Sequence, residues 1–207
     1  MTTKQKSRKL SRYTSLPFLF DLLRNQRLVL LDTLSWADKN DVKVIHEYKT
    51  RKNKQVFVLC FCIGDETIHH WRTYADGEWG CCIEFDEEKL LASFRNIKGI
   101  RYKDVIYKKV NEVEKGLVKL EDFPFVKRKP YRFENEFRII WEGSTDQSNF
   151  KVKINLNSIN KITFSQKMSP EMRNTVLDLL HNQVKHLPKI NYSTLYENKR
   201  WIKAFKK

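Results

Sequence analysis

The sequence is poor in the residues that staple a chain or carry it through a membrane. Its four cysteines fall as Cys60/Cys62 and Cys81/Cys82. Neither spacing is a C-x-x-C knuckle, and with the five histidines they compose no zinc pattern. They read as small buried hydrophobes of a reducing compartment. No apolar run reaches membrane-spanning length, and Leu16 to Phe20 is short and interrupted by Pro17, unlike a signal-peptide core. A cytoplasmic protein with no membrane partner is expected. No G-x-G-x-x-G occurs, which excludes a Rossmann-type dinucleotide frame. Repeats, low-complexity linkers and clear domain breaks are also missing. One domain over residues 1–207, with residues 1–10 as a basic flexible arm, is therefore expected.

What is present in excess is positive charge. Lys and Arg number 40 against 25 acids, a net +15 with a pI near 9.6. Such an excess points to a polyanionic partner, because each neutralised phosphate releases counterions. Residues 1–12 carry Lys4, Lys6, Arg8, Lys9 and Arg12 with no acid, and the C-terminal end is similarly basic. Between Phe123 and Phe133 rings alternate with cations. Lys127, Arg128, Lys129 and Arg132, with Arg138 beyond them, form the expected nucleic-acid contact set. Aromatic content of 13% with five tryptophans marks a folded chain.

The periodicities predict an α+β fold with a mixed or antiparallel sheet of about seven or eight strands. Strands are expected at Leu10–Thr14, Arg27–Leu31, Val56–Ile63, Cys81–Phe85, Ile100–Tyr107, Glu134–Glu142, Phe150–Leu156 and Ile159–Phe164, with a last one at Lys189–Tyr192. Helices are expected after Ser15, with Phe18, Leu19, Leu22 and Leu23 buried, and over Val44–Tyr48, Glu87–Phe94 and Glu112–Leu120. Two more follow Ser169, with Met172, Val176, Leu179 and Leu180 inward, and span Thr194–Phe205. His69 to Gly80 reads as an aromatic loop between two central strands. The aspartates between Asp32 and Asp41 lack the glycine and terminal glutamate of a calcium loop, so they read as turn and cap residues bracing a site.

Two motifs carry chemistry. In the central stretch, Trp71 and Tyr74 offer ring faces. In Glu134-Asn135-Glu136-Phe137-Arg138, the two glutamates and Arg138 share one strand face, where an ordinary sheet keeps a solvated ion-pair row.

At Arg12-Tyr13-Thr14, W-x-x-Y-A-x-G-x-x-G-C-C-I-E-F-D and F-E-N-E-F-R, the chain resembles a bacterial family catalogued as domain of unknown function 2971. More distantly, the order Arg12, Thr33-Leu34-Ser35 and Glu134-Asn135-Glu136 is similar to ADP-ribosyltransferases of the toxin and nucleic-acid-modifying kind. That resemblance implies NAD as co-substrate, no metal, and a toxin or phage-defence role with a possible antitoxin or regulatory partner. It implies Glu136 as the carboxylate that stabilises positive charge on the ribose and Glu134 as base or acceptor-orienting group. Arg12, with Tyr13 and Thr14 beside it, would hold the pyrophosphate, and Trp71 or Tyr74 would stack on nicotinamide. Two other classes stay open: a non-catalytic nucleic-acid-binding or regulatory protein, and a metal-dependent nuclease built from Asp38, Asp41, Glu84, Asp86 or Glu136.

Overall fold

The computed structural model describes residues 7–75, 77–184 and 187–206. In chain order the elements are β1 (Lys9–Ser15), α1 (Leu16–Asn25), β2 (Arg27–Leu31), α2 (Lys39–Lys52), β3 (Gln55–Ile63), α3 (Ile68–Tyr74), β4 (Gly80–Asp86), α4 (Glu87–Ala92), β5 (Ile100–Asp104) and β6 (Ile106–Lys108). Then come α5 (Val110–Glu114), β7 (Val126–Arg128), β8 (Glu136–Gly143), β9 (Asn149–Lys153), β10 (Ile159–Phe164), α6 (Pro170–Gln183), β11 (Lys189–Tyr192) and α7 (Lys199–Ala204). Short 3₁₀ turns lie at Leu120–Phe125, Lys129–Glu134 and Leu156–Ser158. The class is α+β with mostly antiparallel strands. No described helix is long and apolar enough to cross a membrane.

The chain divides into two compact units, each assembled from separate stretches of sequence. The first takes its described residues from Met1–Gln26, Gly64–Leu90 and Asn155–Lys207. Its strands run β11-β10-β4-β1, with β10 and β11 parallel and the other pairs antiparallel. β4 lies between two partners and is buried from Gly80 to Phe85, which is why Cys81-Cys82-Ile83 reads as a continuous apolar run rather than an alternating one. Helix α1 lies against β1, β4 and α6. It buries Leu16, Leu19, Leu22 and Leu23. Phe18, expected on that stripe, falls off the 3.6-residue face and is exposed. On α6, Val176 and Leu180 are buried while Leu179 is exposed, for the same reason.

Two expectations change in this unit. The stretch from Ile68 to Tyr74 is a helix, α3, because Thr67 caps it by accepting a hydrogen bond from the His70 N–H. β1 also takes in residues expected in the basic arm. Lys9 and Leu10 belong to β1, Leu10 is fully buried, and Arg8 pairs with Glu87 at 2.7 Å. Residues 1–6, Asp76, Lys185, His186 and Lys207 lie outside the described residues.

The second unit comprises Arg27–Ile63 and Leu91–Ile154. Its sheet runs β9-β2-β3-β8-β5, all antiparallel, and β6 pairs with β7 in a small parallel ladder. The strand expected over Ile100–Tyr107 is broken at Val105, whose N–H turns to the Glu136 carbonyl at 2.8 Å. The helix expected at Val44–Tyr48 extends over all of α2, because the Asp38 carboxylate caps it by accepting from the N–H groups of Asn40 and Asp41. The helix expected at Glu112–Leu120 shrinks to α5, a single turn with no buried residue to hold it longer. Ile45, Tyr48, Val56, Val58, Phe125 and Ile140 make the core under α2.

Candidate active site

The second unit holds a cluster of five buried ionisable side chains. They are Asp41 on α2, Lys127 on β7, Glu134 at the end of a 3₁₀ turn, and Glu136 and Arg138 on β8. The local chain explains how two glutamates meet one lysine. Pro130 opens the turn from Lys129 to Glu134, and Asn135 ends it with φ 43, a conformation asparagine tolerates better than most residues. Asn135 is then anchored to Ile63. Its carbonyl accepts from the Ile63 N–H at 2.7 Å, and its side-chain amide donates to the Ile63 carbonyl at 2.8 Å. β8 therefore starts at Glu136, two residues later than expected, and Glu134 reaches the cluster from outside the strand. Lys127 Nζ lies 2.5 Å from Glu134 Oε2, 3.5 Å from Glu136 Oε2 and 3.8 Å from Asp41 Oδ2. The Tyr131 ring covers it at 4.8 Å.

Arg138 is the hub. It is fully buried, and its five N–H donors have acceptors. Nε donates to Glu136 Oε1 at 2.6 Å, and Nη2 donates to Glu136 Oε2 at 3.0 Å. Nη1 donates to Asp41 Oδ1 and to the Pro124 carbonyl, each at 2.9 Å, and Nη2 also donates to Asp41 Oδ2. The Trp36 ring lies 5.3 Å from the guanidinium carbon. Antiparallel register sets Cys60 of β3 opposite Arg138. The Tyr107 hydroxyl accepts the Glu136 N–H at 2.9 Å.

These contacts decide the charge states. Burial works to neutralise Glu136, but the Arg138 charge and hydrogen bonds, the Lys127 charge and a Cys60 hydrogen bond outweigh it and hold the carboxyl down at about 2. Burial likewise opposes the Lys127 charge, and Glu136, Glu134 and Asp41 overcome it and push the ammonium up. At Asp41 burial prevails over Arg138 and moves the carboxyl above its usual range. Three carboxyl groups therefore face two cations, and Glu136 is held ionised. Glu136 is thereby an oriented anion whose charge is shared with Arg138, and any positive charge on a reacting partner would meet it as part of that pair.

The structure redistributes the expected nucleic-acid residues. Arg138 and Lys127 do not present their charge at the surface: one is fully buried with its donors engaged, and the other sits among three carboxylates beneath a ring. Arg128, Lys129 and Arg132 are exposed, with Arg132 lying 4.2 Å over the exposed Phe133 ring. Glu134 and Glu136, which in an ordinary sheet would form a solvated row, are 5% and 6% exposed.

The expected nucleotide contacts belong to the first unit. Tyr13 and Thr14 are buried on β1, and Arg12 is half-buried there. Trp71 is buried edge-on against Tyr13 at 5.6 Å, and its indole N–H donates to Glu66 at 3.0 Å. Tyr74 is exposed. Of the acids weighed for metal binding, Glu84 pairs with Lys9 and Lys161, and Asp86 caps α4 by accepting from the Lys89 N–H. Among the described residues no group of three or more His, Cys, Asp or Glu side chains is arranged to hold a metal ion.

The family model described as "Protein of unknown function (DUF2971)" matches residues 70–139, which include most of α3 and the Glu134 to Arg138 motif. No curated protein matches by sequence. Among solved structures, the chain is similar to DarT of Thermus sp. 2.9 in three complexes. The complex with carba-NAD+ is 11% identical, with 94% of this chain and 100% of that chain covered and a TM-score of 0.46. The complex with ADP-ribosylated ssDNA is 12% identical, with 95% and 99% covered and a TM-score of 0.46. The complex with NAD+ is 11% identical, with 95% and 100% covered and a TM-score of 0.45.

Proposed function

We propose that this protein transfers ADP-ribose from NAD to a nucleic-acid acceptor, with Glu136 as the carboxylate at the reacting sugar. The observation that carries this reading is the state of Glu136: nearly buried, ionised, and fixed at both oxygens by one guanidinium. Breaking the bond between nicotinamide and ribose sends the electron pair away with nicotinamide and leaves positive charge on the sugar. A pre-oriented carboxylate stabilises that charge without having to reorganise. The acceptor atom then bonds to the sugar carbon, and its proton passes to a base. Glu134, held 2.5 Å from Lys127 and on the same cluster, is assigned that role. In the first unit, Arg12, Tyr13, Thr14, Trp71 and Tyr74 are the residues this reading assigns to nucleotide contact. Of their rings, the exposed Tyr74 suits stacking better than the buried Trp71. Arg128, Lys129 and Arg132 supply exposed charge for the acceptor's phosphates. The chemistry is the kind the DarT complexes represent, but its support here is the cluster itself. A toxin role would add a restraining partner, which co-purification from the native host would recover.

The test incubates the purified chain with labelled NAD and single-stranded, double-stranded and protein acceptors, beside Glu136→Ala. Label should enter a nucleic acid with the wild type and not with the variant, whose fold is checked by circular dichroism. Salt-sensitive binding without label transfer, unchanged in Glu136→Ala, would favour the non-catalytic binder. Magnesium-dependent strand cleavage would favour a nuclease.

A further inference from the structure

In the first unit, α7 stands out as a helix whose side chains are all exposed. Six residues do not hold a helix in water by propensity alone, yet this one is pinned at its start. The Asn198 side chain caps it by accepting from the Trp201 N–H at 3.0 Å. Just before it, the Tyr196 and Glu197 N–H groups both donate to the Gln166 side chain, at 3.0 and 3.3 Å. What the pinned helix presents is apolar: Trp201 is 68% exposed, Phe205 74% and Ile202 43%. The Trp201 and Phe205 rings, one turn apart, meet edge to face at 5.2 Å.

At 3.6 residues per turn, Trp201, Ile202, Ala204 and Phe205 fall on one side of the axis. Lys199, Arg200, Lys203 and Lys206 fall on the other, and no acid interrupts them. This segregation selects among polyanions. A single-stranded nucleic acid is best met by rings and cations on one shared face, so that stacked bases and their phosphates are engaged together. A groove on a partner protein reads a stripe of anchors at i, i+3, i+4 and i+7 and does not call for a wholly basic opposite face. An anionic lipid surface takes rings downward at the headgroup boundary and cations extended sideways to the phosphates, which is the segregation α7 shows.

We propose that α7 is an interfacial helix that docks this protein on an anionic lipid surface, its Trp201, Ile202 and Phe205 face entering the headgroup layer. Such a helix lies on the membrane rather than crossing it, so the lack of an apolar spanning run does not bear on it. The attachment is reversible and depends on salt and on anionic lipid.

The test is co-sedimentation of the full chain with phosphatidylcholine vesicles, with and without phosphatidylglycerol. Binding is expected only with phosphatidylglycerol. The double variant W201S/F205S, confined to exposed positions, should lower it by about tenfold or more while far-UV circular dichroism holds. Replacing Lys199, Arg200, Lys203 and Lys206 by glutamine should weaken the preference for phosphatidylglycerol, leaving only what the rest of the basic chain contributes. The proposal is overturned by absence of binding to those vesicles, or by binding that W201S/F205S leaves unchanged. It is equally overturned if α7 serves an oligonucleotide or a partner protein with the same residue dependence while vesicles are ignored.

Discussion

Replacing Arg138 by methionine is the sharpest perturbation of the second unit. Methionine fills much of the same volume but removes all five donors, leaving Asp41 with a fully buried side chain and Glu136 with a 6% exposed one and no guanidinium between them. Breaking a buried ion pair from one side costs about 3–5 kcal/mol, because the remaining charge is left uncompensated. Here two carboxylates lose the same partner while Lys127, 3.5 and 3.8 Å from them, still offsets part of their charge, so the loss belongs within that range, a large share of the roughly 5–15 kcal/mol that holds a domain folded. Urea unfolding followed by tryptophan fluorescence reads it as a fall in the midpoint. The deficit should shrink as pH drops, since protonating the stranded carboxyl groups removes the uncompensated charge. Replacing Asp41 by asparagine in the same chain should recover part of it at neutral pH. A loss under about 1 kcal/mol in the single variant would refute the reasoning, because no buried hub of this kind is so cheaply removed.

Other outcomes follow from particular contacts. Glu136 is held at about 2 in the folded chain, so its contribution to stability is complete above the usual carboxylate range and is lost as pH falls through that value. It amounts to something on the order of 3 kcal/mol, and E136Q should flatten the acid side of the stability–pH curve. In the first unit, a Cβ on Gly80 would come within 1.9 Å of the Ala75 carbonyl oxygen, so G80A should destabilise by more than about 2 kcal/mol in thermal or urea unfolding. Changing Arg128, Lys129 and Arg132 together to glutamine should weaken the salt dependence of oligonucleotide binding, measured by fluorescence anisotropy. The log–log slope should fall by about 0.7–0.9 for each phosphate that is no longer neutralised.

Much of the fold was legible because its signals are local. Ser169-Pro170-Glu171 announces α6, and the Ser169 hydroxyl does accept from the Met172 N–H. The apolar runs at Val56–Ile63 and Cys81–Phe85 are buried strands because each has partners on both sides within its own unit or a core above it. The miss at α3 is physical: its rings hid a helix seven residues long whose one clear signal was Thr67 three residues before His70. Glu134 and Glu136 were readable as a pair. Their burial was not, because it comes from Asp41, distant in sequence, and from Tyr107 and Cys60, which only strand register and chain reversal bring beside them. Lys127 and Arg138 were read as phosphate contacts from residue type alone. A cation's partner is set by tertiary neighbours, and here the neighbours are carboxylates.

The most direct measurement of the central claim is nicotinamide release from NAD by the purified chain in the presence of oligonucleotide acceptors, with E136Q and E134Q alongside. The wild type should release nicotinamide, and E136Q should lose the rate by about a hundredfold or more with its fold retained, as expected when a group aimed at transition-state charge is removed. E134Q should retain more of the cleavage than of the transfer. Release that survives E136Q at the wild-type rate would contradict the assignment, and so would a wild-type chain that leaves NAD intact with every acceptor.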